Sequence, residues 1–120
     1  MIRLTSNGAG DDIWLVGDIE IQVQSFVGKL SAYFEPYDFS LFSTQLTQLH
    51  SSLTGAAILK PREEQLVLTL TGNGRGGINV SGIAYSQATW QNKLEFSFEI
   101  DQTFLLEPLA QLEVLSNAIA

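Results

Sequence analysis

The chain has 120 residues, 45% hydrophobic and only 16% charged, a composition that excludes intrinsic disorder. Its 13 acidic residues outnumber 6 basic ones for a formal net charge of −7, which repels phosphate backbones and anionic lipids, so neither nucleic acid nor membrane is an expected partner. The absence of cysteine removes disulfides, thiolate metal sites and cysteine nucleophiles, and no apolar run fits a signal peptide or the roughly 20 residues of a membrane span, so a soluble, cytoplasmic protein is expected.

Apolar residues fall on every second position over residues 18–24. Ile19, Ile21 and Val23 therefore share one face of a strand, and Glu20, Gln22 and Gln24 share the other. Gly28-Lys29 reads as a turn. Leu30, Ala32 and Phe34 resume the alternation, so residues 30–35 are the expected second strand of a hairpin. A shorter strand is expected around residues 13–16 and another over residues 2–5.

Pro36 ends the sheet pattern. Asp38 is the expected N-cap of a helix, because its carboxylate can accept amide protons of the first turn. Phe39, Phe42, Leu46, Leu49 and Leu53 then recur at helical spacing and form one apolar stripe, with Gly55 expected just beyond the helix end. Strands return over residues 56–60 and 66–71. The run Asn73-Gly74-Arg75-Gly76-Gly77 reads as a turn. Beyond it Ile78, Val80, Gly82 and Ala84 alternate with Asn79, Ser81 and Ile83. After a loop over residues 86–92, Leu94, Phe96, Phe98 and Ile100 face inward and Glu95, Ser97, Glu99 and Asp101 outward.

A second helix is expected over residues 103–118. Its stripe is Leu105, Leu109, Leu112, Leu115 and Ile119, widened by Leu106 and Val114. Pro108 suits a place near the helix start and would kink a helix that began at residue 101 or 102. Short connections between neighbouring strands imply antiparallel pairing. The expected fold is α+β, a single domain over residues 1–120 with a mainly antiparallel sheet and two amphipathic helices packed on one face.

The other sheet face would carry Glu20, Gln22, Gln24, Asn79, Ser81, Glu95, Ser97 and Glu99. A docking surface also needs aromatic anchors, for which Trp14, Tyr33, Tyr85 and Trp90 are available. Tyr33 falls on the polar side of its strand and Trp90 lies among polar loop residues, whereas Trp14 is expected in the core. The candidate partner-binding residues are thus Glu20, Gln22, Gln24, Tyr33, Trp90, Glu95, Ser97 and Glu99. The plainer alternative is a solvated face that only keeps the domain soluble.

Catalytic chemistry is hard to assemble from these residues. His50 stands alone and off the helix stripe, with no second histidine or cysteine to share a metal. The glycines from Gly72 to Gly77 lead into a strand and lack the Lys-Ser/Thr ending of a phosphate loop. Glu95 and Glu99 share a strand face at about 13 Å, beyond the roughly 5–9.5 Å of glycosidase carboxylate pairs. An enzyme would need several of Asp11, Asp12, Asp18, Glu95, Glu99 and Asp101 to converge. No catalytic residue, metal ligand or cofactor is expected.

The segment Gly77-Ile78-Asn79-Val80-Ser81-Gly82, and above all the run from Leu94 through Phe96-Ser97-Phe98-Glu99-Ile100-Asp101-Gln102-Thr103-Phe104-Leu105, is similar to the WapI-type immunity proteins of bacterial polymorphic toxin systems. The earlier order of Leu15-Val16-Gly17-Asp18, a hairpin, a helix, Leu53-Thr54-Gly55 and Ala57-Ile58-Leu59 also resembles theirs. The resemblance implies a non-catalytic protein that neutralises a toxin domain, expected to be a basic nuclease, by covering its active site or substrate face. Charge complementarity would speed that association. The competing expectation is a structural or regulatory domain that forms homo-oligomers through its sheet edges.

Overall fold

The computed structural model describes residues 2–7, 14–23, 25–86 and 92–119, with side chains for 18–22, 25–86 and 92–112. Its alternating segments pair into two antiparallel sheets. The first has the order β1 (Ile2–Asn7), β2 (Trp14–Val23), β3 (Phe26–Phe34). The second has the order β4 (Thr54–Leu59), β5 (Leu66–Asn73), β6 (Gly77–Tyr85), β7 (Lys93–Asp101). Helix α1 (Pro36–Ser52) connects them, and a 3-10 turn (Gln102–Leu105) leads into helix α2 (Leu106–Ile119). The α+β class, the antiparallel pairing and the two helices are as the sequence predicts. The division of the strands between two sheets is new.

Strand periodicity decides what is buried. In the second sheet the register pairs Leu66 with Ala84, Leu70 with Val80, and Ile78 with Ile100, which places these residues in one inner layer. Helix α1 lays Phe39, Phe42, Leu46 and Leu49 into the same cluster, and Ile19, Ala32 and Phe34 enter it from the first sheet. Leu105 closes it, with Leu109 and Leu112 of α2 packed alongside. The Phe34 and Phe39 rings meet at 5.0 Å across the junction of β3 and α1. Two polar contacts also cross between the segments. The buried Gln65 donates to the carbonyls of Ser31 and Tyr85 at 2.8 and 3.0 Å, and Arg62 pairs with Glu35 at 2.9 Å.

Several local expectations are corrected. The first hairpin closes between Val23 and Phe26, so Gly28 lies inside β3 opposite Ile21 and does not form the turn. A Cβ there would stand 3.4 Å from a Leu94 methyl, an ordinary contact, so β3 passes close to β7 at this point. Strand β2 runs unbroken from Trp14 to Val23, and does not split into a short strand and a longer one.

The N-cap of α1 is Glu35, not Asp38. Pro36 has no amide proton and takes the first helical position, which places the cap at Glu35, three residues before Asp38. Asp38 then reaches back to accept the Glu35 N–H at 2.8 Å. At the other end Gly55, at φ 89°, already lies within β4, and Leu53, with φ 63°, is the left-handed residue that ends the helix. Such a residue costs about 1–3 kcal/mol. Two bonds hold it there: its N–H donates to the Leu49 carbonyl at 2.9 Å and its own carbonyl accepts from Gly74 at 2.8 Å.

The last helix is entered in two steps. Asp101 accepts the Thr103 N–H at 2.9 Å and starts the 3-10 turn, and α2 begins at Leu106, which leaves Pro108 in the first α-helical turn. Leu106 is exposed and does not widen the apolar stripe. The expectations for the side chains of Val114, Leu115 and Ile119 fall beyond the described side chains, which end at residue 112.

Candidate protein-docking faces

Each sheet turns one row of side chains away from the core. In the first, the register sets Asp18 opposite Ser31, Glu20 opposite Lys29 and Gln22 opposite Val27 on the outer side. The Ser31 hydroxyl donates to Asp18 Oδ1 at 2.8 Å. Tyr33 continues this row and is 52% exposed. A hollow of about 700 Å³ opens here, lined by Asp18, Glu20, Lys29, Leu30, Ser31 and Ser86.

In the second sheet, Val67, Thr69, Asn79, Ser81, Glu95, Ser97 and Glu99 are in register on the outer side. Small hydroxyl side chains occupy its centre, and a shallow depression of about 440 Å³ forms over Val67, Thr69, Ser81, Ile83, Glu95 and Ser97. Ser97 donates to Asn79 across the strands at 3.4 Å. Lys93 bonds Glu95 at 2.6 Å, and that carboxylate raises the lysine pKa above its ordinary value. Glu99 is exposed and has no ion-pair partner among the described residues.

The residues expected to form one polar face are therefore divided. Glu20, Gln22 and Tyr33 lie on the first sheet, and Glu95, Ser97 and Glu99 lie with Asn79 and Ser81 on the second. Alternation determines the side to which a residue points, but not which sheet its strand joins. Gln24 and Trp90 fall outside the described residues, as does the side chain of Trp14.

Exposed apolar residues that strand alternation did not single out include Phe26 and Val27 by the first hairpin, Tyr37 in the first turn of α1, and Phe104. Tyr37 and Phe104 lie off the helical stripes, a signal present in the sequence. Phe26 and Val27 are hidden from such reading by the misplaced turn.

The glycine run forms the β5–β6 hairpin as expected. Asn73 Oδ1 accepts the N–H groups of Arg75 and Gly77 at 2.7 and 3.1 Å, leaving Arg75 exposed at the tip. His50 is half-buried in the last turn of α1. Among the described residues no three His, Cys, Asp or Glu side chains group as a metal site. Asp18 lies on a different sheet from Glu95, Glu99 and Asp101, while Asp11 and Asp12 fall outside the described residues. No described helix is long and apolar enough to cross a membrane.

The chain matches the Immunity protein WapI-like family over residues 2–119, nearly its whole length. No curated protein matches it. A similar solved structure is that of MRP1/MRP2 from Trypanosoma bruciei, at 11% sequence identity and a TM-score of 0.47, covering 97% of this chain and 76% of that one. By the family match, the chain belongs to the WapI-like immunity proteins, and its function class is immunity against a toxin.

Proposed function

We propose that this WapI-like immunity protein acts as a single non-catalytic domain in the bacterial cytoplasm, neutralising a basic toxin domain, a nuclease, by binding it. The reading rests on family membership and on the chain's own electrostatics. Two polar outer faces carry exposed carboxylates, and the formal net charge is −7. A field of that sign draws in a basic partner and orients it during encounter. A nuclease domain is such a partner, because it must itself attract polyanionic substrate.

The single observation that carries the proposal furthest is the open outer face of the second sheet, where Glu95, Ser97 and Glu99 are all exposed. We assign the docking role to these three residues first. Glu20, Gln22 and Tyr33 on the first sheet are a second contact area, and Gln24 and Trp90 complete the candidate set. The test is co-expression with a basic toxin domain sought among the genes beside the chain's own. Wild type should restore growth, and the double charge reversal Glu95→Lys with Glu99→Lys should protect poorly while melting like wild type. If wild type gives no protection against that toxin domain and binds no basic protein in the native host, the proposal fails.

A further inference from the structure

The two edges of the second sheet are treated differently. Backbone hydrogen bonds in an antiparallel pair alternate, so each residue of an edge strand directs its N–H and C=O either into the sheet or out of it. The Gln102 N–H bonds the Gly76 carbonyl at 2.8 Å. Counting along the register by twos, the pairs Ile78 with Ile100, Val80 with Phe98 and Gly82 with Phe96 are the hydrogen-bonded ones. The Tyr85 N–H to the Gln65 carbonyl, 2.9 Å, assigns the odd-numbered residues of β6 to β5 and leads to the same result. The backbone groups of Glu95, Ser97 and Glu99 therefore point out of the sheet.

At the opposite edge the same alternation, anchored by the Gly74 N–H on the Leu53 carbonyl, turns the Ile58 N–H outward. There Gln45 Oε1 of α1 accepts it at 2.9 Å. No described residue does the same for Glu95, Ser97 or Glu99 along the length of β7. An uncovered edge of this kind is a template for an added strand.

We propose that β7 binds the toxin by β-strand addition, its edge accepting an extended segment with basic side chains at alternate positions and apolar ones between them. This deepens the proposed function and rests on it. The chemistry of the occupant follows from the two rows that flank the edge. On the outer side an added strand meets Glu95, Glu99 and Asp101, with Lys93 already engaged by Glu95. On the inner side it meets Phe96 and Phe98, whose rings stack at 6.2 Å, and Phe98 remains 41% exposed although it belongs to the inner row. Basic residues fit the first row and apolar residues the second. A second copy of this chain fits less well, since it brings another charge of −7 and the same acidic row.

The test is residue-resolved amide hydrogen exchange, free and in complex with a basic toxin domain sought among the genes beside the chain's own. The amides of Glu95, Ser97 and Glu99 should exchange fast in the free chain and become protected in the complex, while those of Phe96 and Phe98, already bonded to β6, change little. Ser97→Pro removes one outward N–H and no ladder bond, so it should fold and weaken the complex at least about tenfold. A complex that forms but protects both sets alike, or neither, overturns the strand-addition mode and leaves the immunity reading standing. Failure of wild type to bind that domain at all counts against both. Concentration-dependent protection of the odd-numbered amides without toxin shows self-pairing and also overturns the proposal. The exchange pattern decides the matter even if the proline variant does not fold.

Discussion

Individual residues here are constrained mostly by what lies within reach of them. A Cβ on Gly72 would stand 2.3 Å from the carbonyl oxygen of Leu53, a backbone atom tied down by its own hydrogen bonds. One on Gly82 would stand 2.3 Å from the Phe96 ring tip, a side chain able to swing away. Both substitutions to alanine should destabilise, within the 1–3 kcal/mol typical of overpacking or somewhat above it, and Gly72→Ala should cost more than Gly82→Ala in urea unfolding. Equal losses would mean that the Leu53 turn moves as freely as a phenylalanine ring.

Asp38 gives a pH-dependent prediction at the same scale. Burial raises its pKa above the ordinary value, the Glu35 amide bond lowers it, the Glu35 carboxylate raises it and Arg62 lowers it, for a net rise. The folded chain thus holds this proton more tightly than the unfolded chain. The group's contribution to stability is full below the unfolded pKa of about 3.9 and is lost as pH rises through the higher folded value. Asp38→Asn keeps an oxygen for the Glu35 N–H but cannot ionise. Relative to wild type it should therefore gain stability as pH rises through that window, read from urea midpoints on both sides. A relative loss over the same window would contradict the assignment.

Among the elements, α1 joins the two sheets through one apolar stripe. Leu46 is fully buried in it, so Leu46→Ala should cost about 2–5 kcal/mol. Gln65 joins the sheets by polar means. Gln65→Leu would leave the Ser31 and Tyr85 carbonyls without that donor and should cost about 1–3 kcal/mol by the same denaturation measurement. A neutral result for Gln65→Leu would mean that water replaces the amide.

This scale also shows what sequence can convey. The inner and outer rows of β6 and β7 are legible because side chains alternate with a period of two, and the α1 stripe because helical spacing brings Phe39, Phe42, Leu46 and Leu49 to one side. The caps of α1 are not legible to the residue. Pro36 pre-empts the first helical position and moves the cap from Asp38 to Glu35, and a contact distant in sequence, Gly74 on Leu53, holds a leucine in a left-handed turn. The candidate site is legible as a set of outward residues but not as a place. Whether Glu20 and Glu95 share a surface depends on strand pairing, which a period of two leaves open.

At the scale of the whole molecule, family membership, net charge and an uncovered edge point to the same activity. An acidic protein held to a basic toxin by charge should associate more slowly and bind less tightly as salt rises, because screening shortens the reach of its field. Binding insensitive to salt would instead point to an apolar contact around Phe98 and Phe104, both exposed. The most direct measurement is calorimetric titration of the chain with a basic toxin domain sought among the genes beside its own, comparing wild type with the Glu95→Lys, Glu99→Lys double variant. We predict tight binding by wild type and at least roughly tenfold weaker binding by the variant. No heat of binding for wild type, or equal affinities for the two, would contradict a toxin-neutralising role centred on the acidic row of β7.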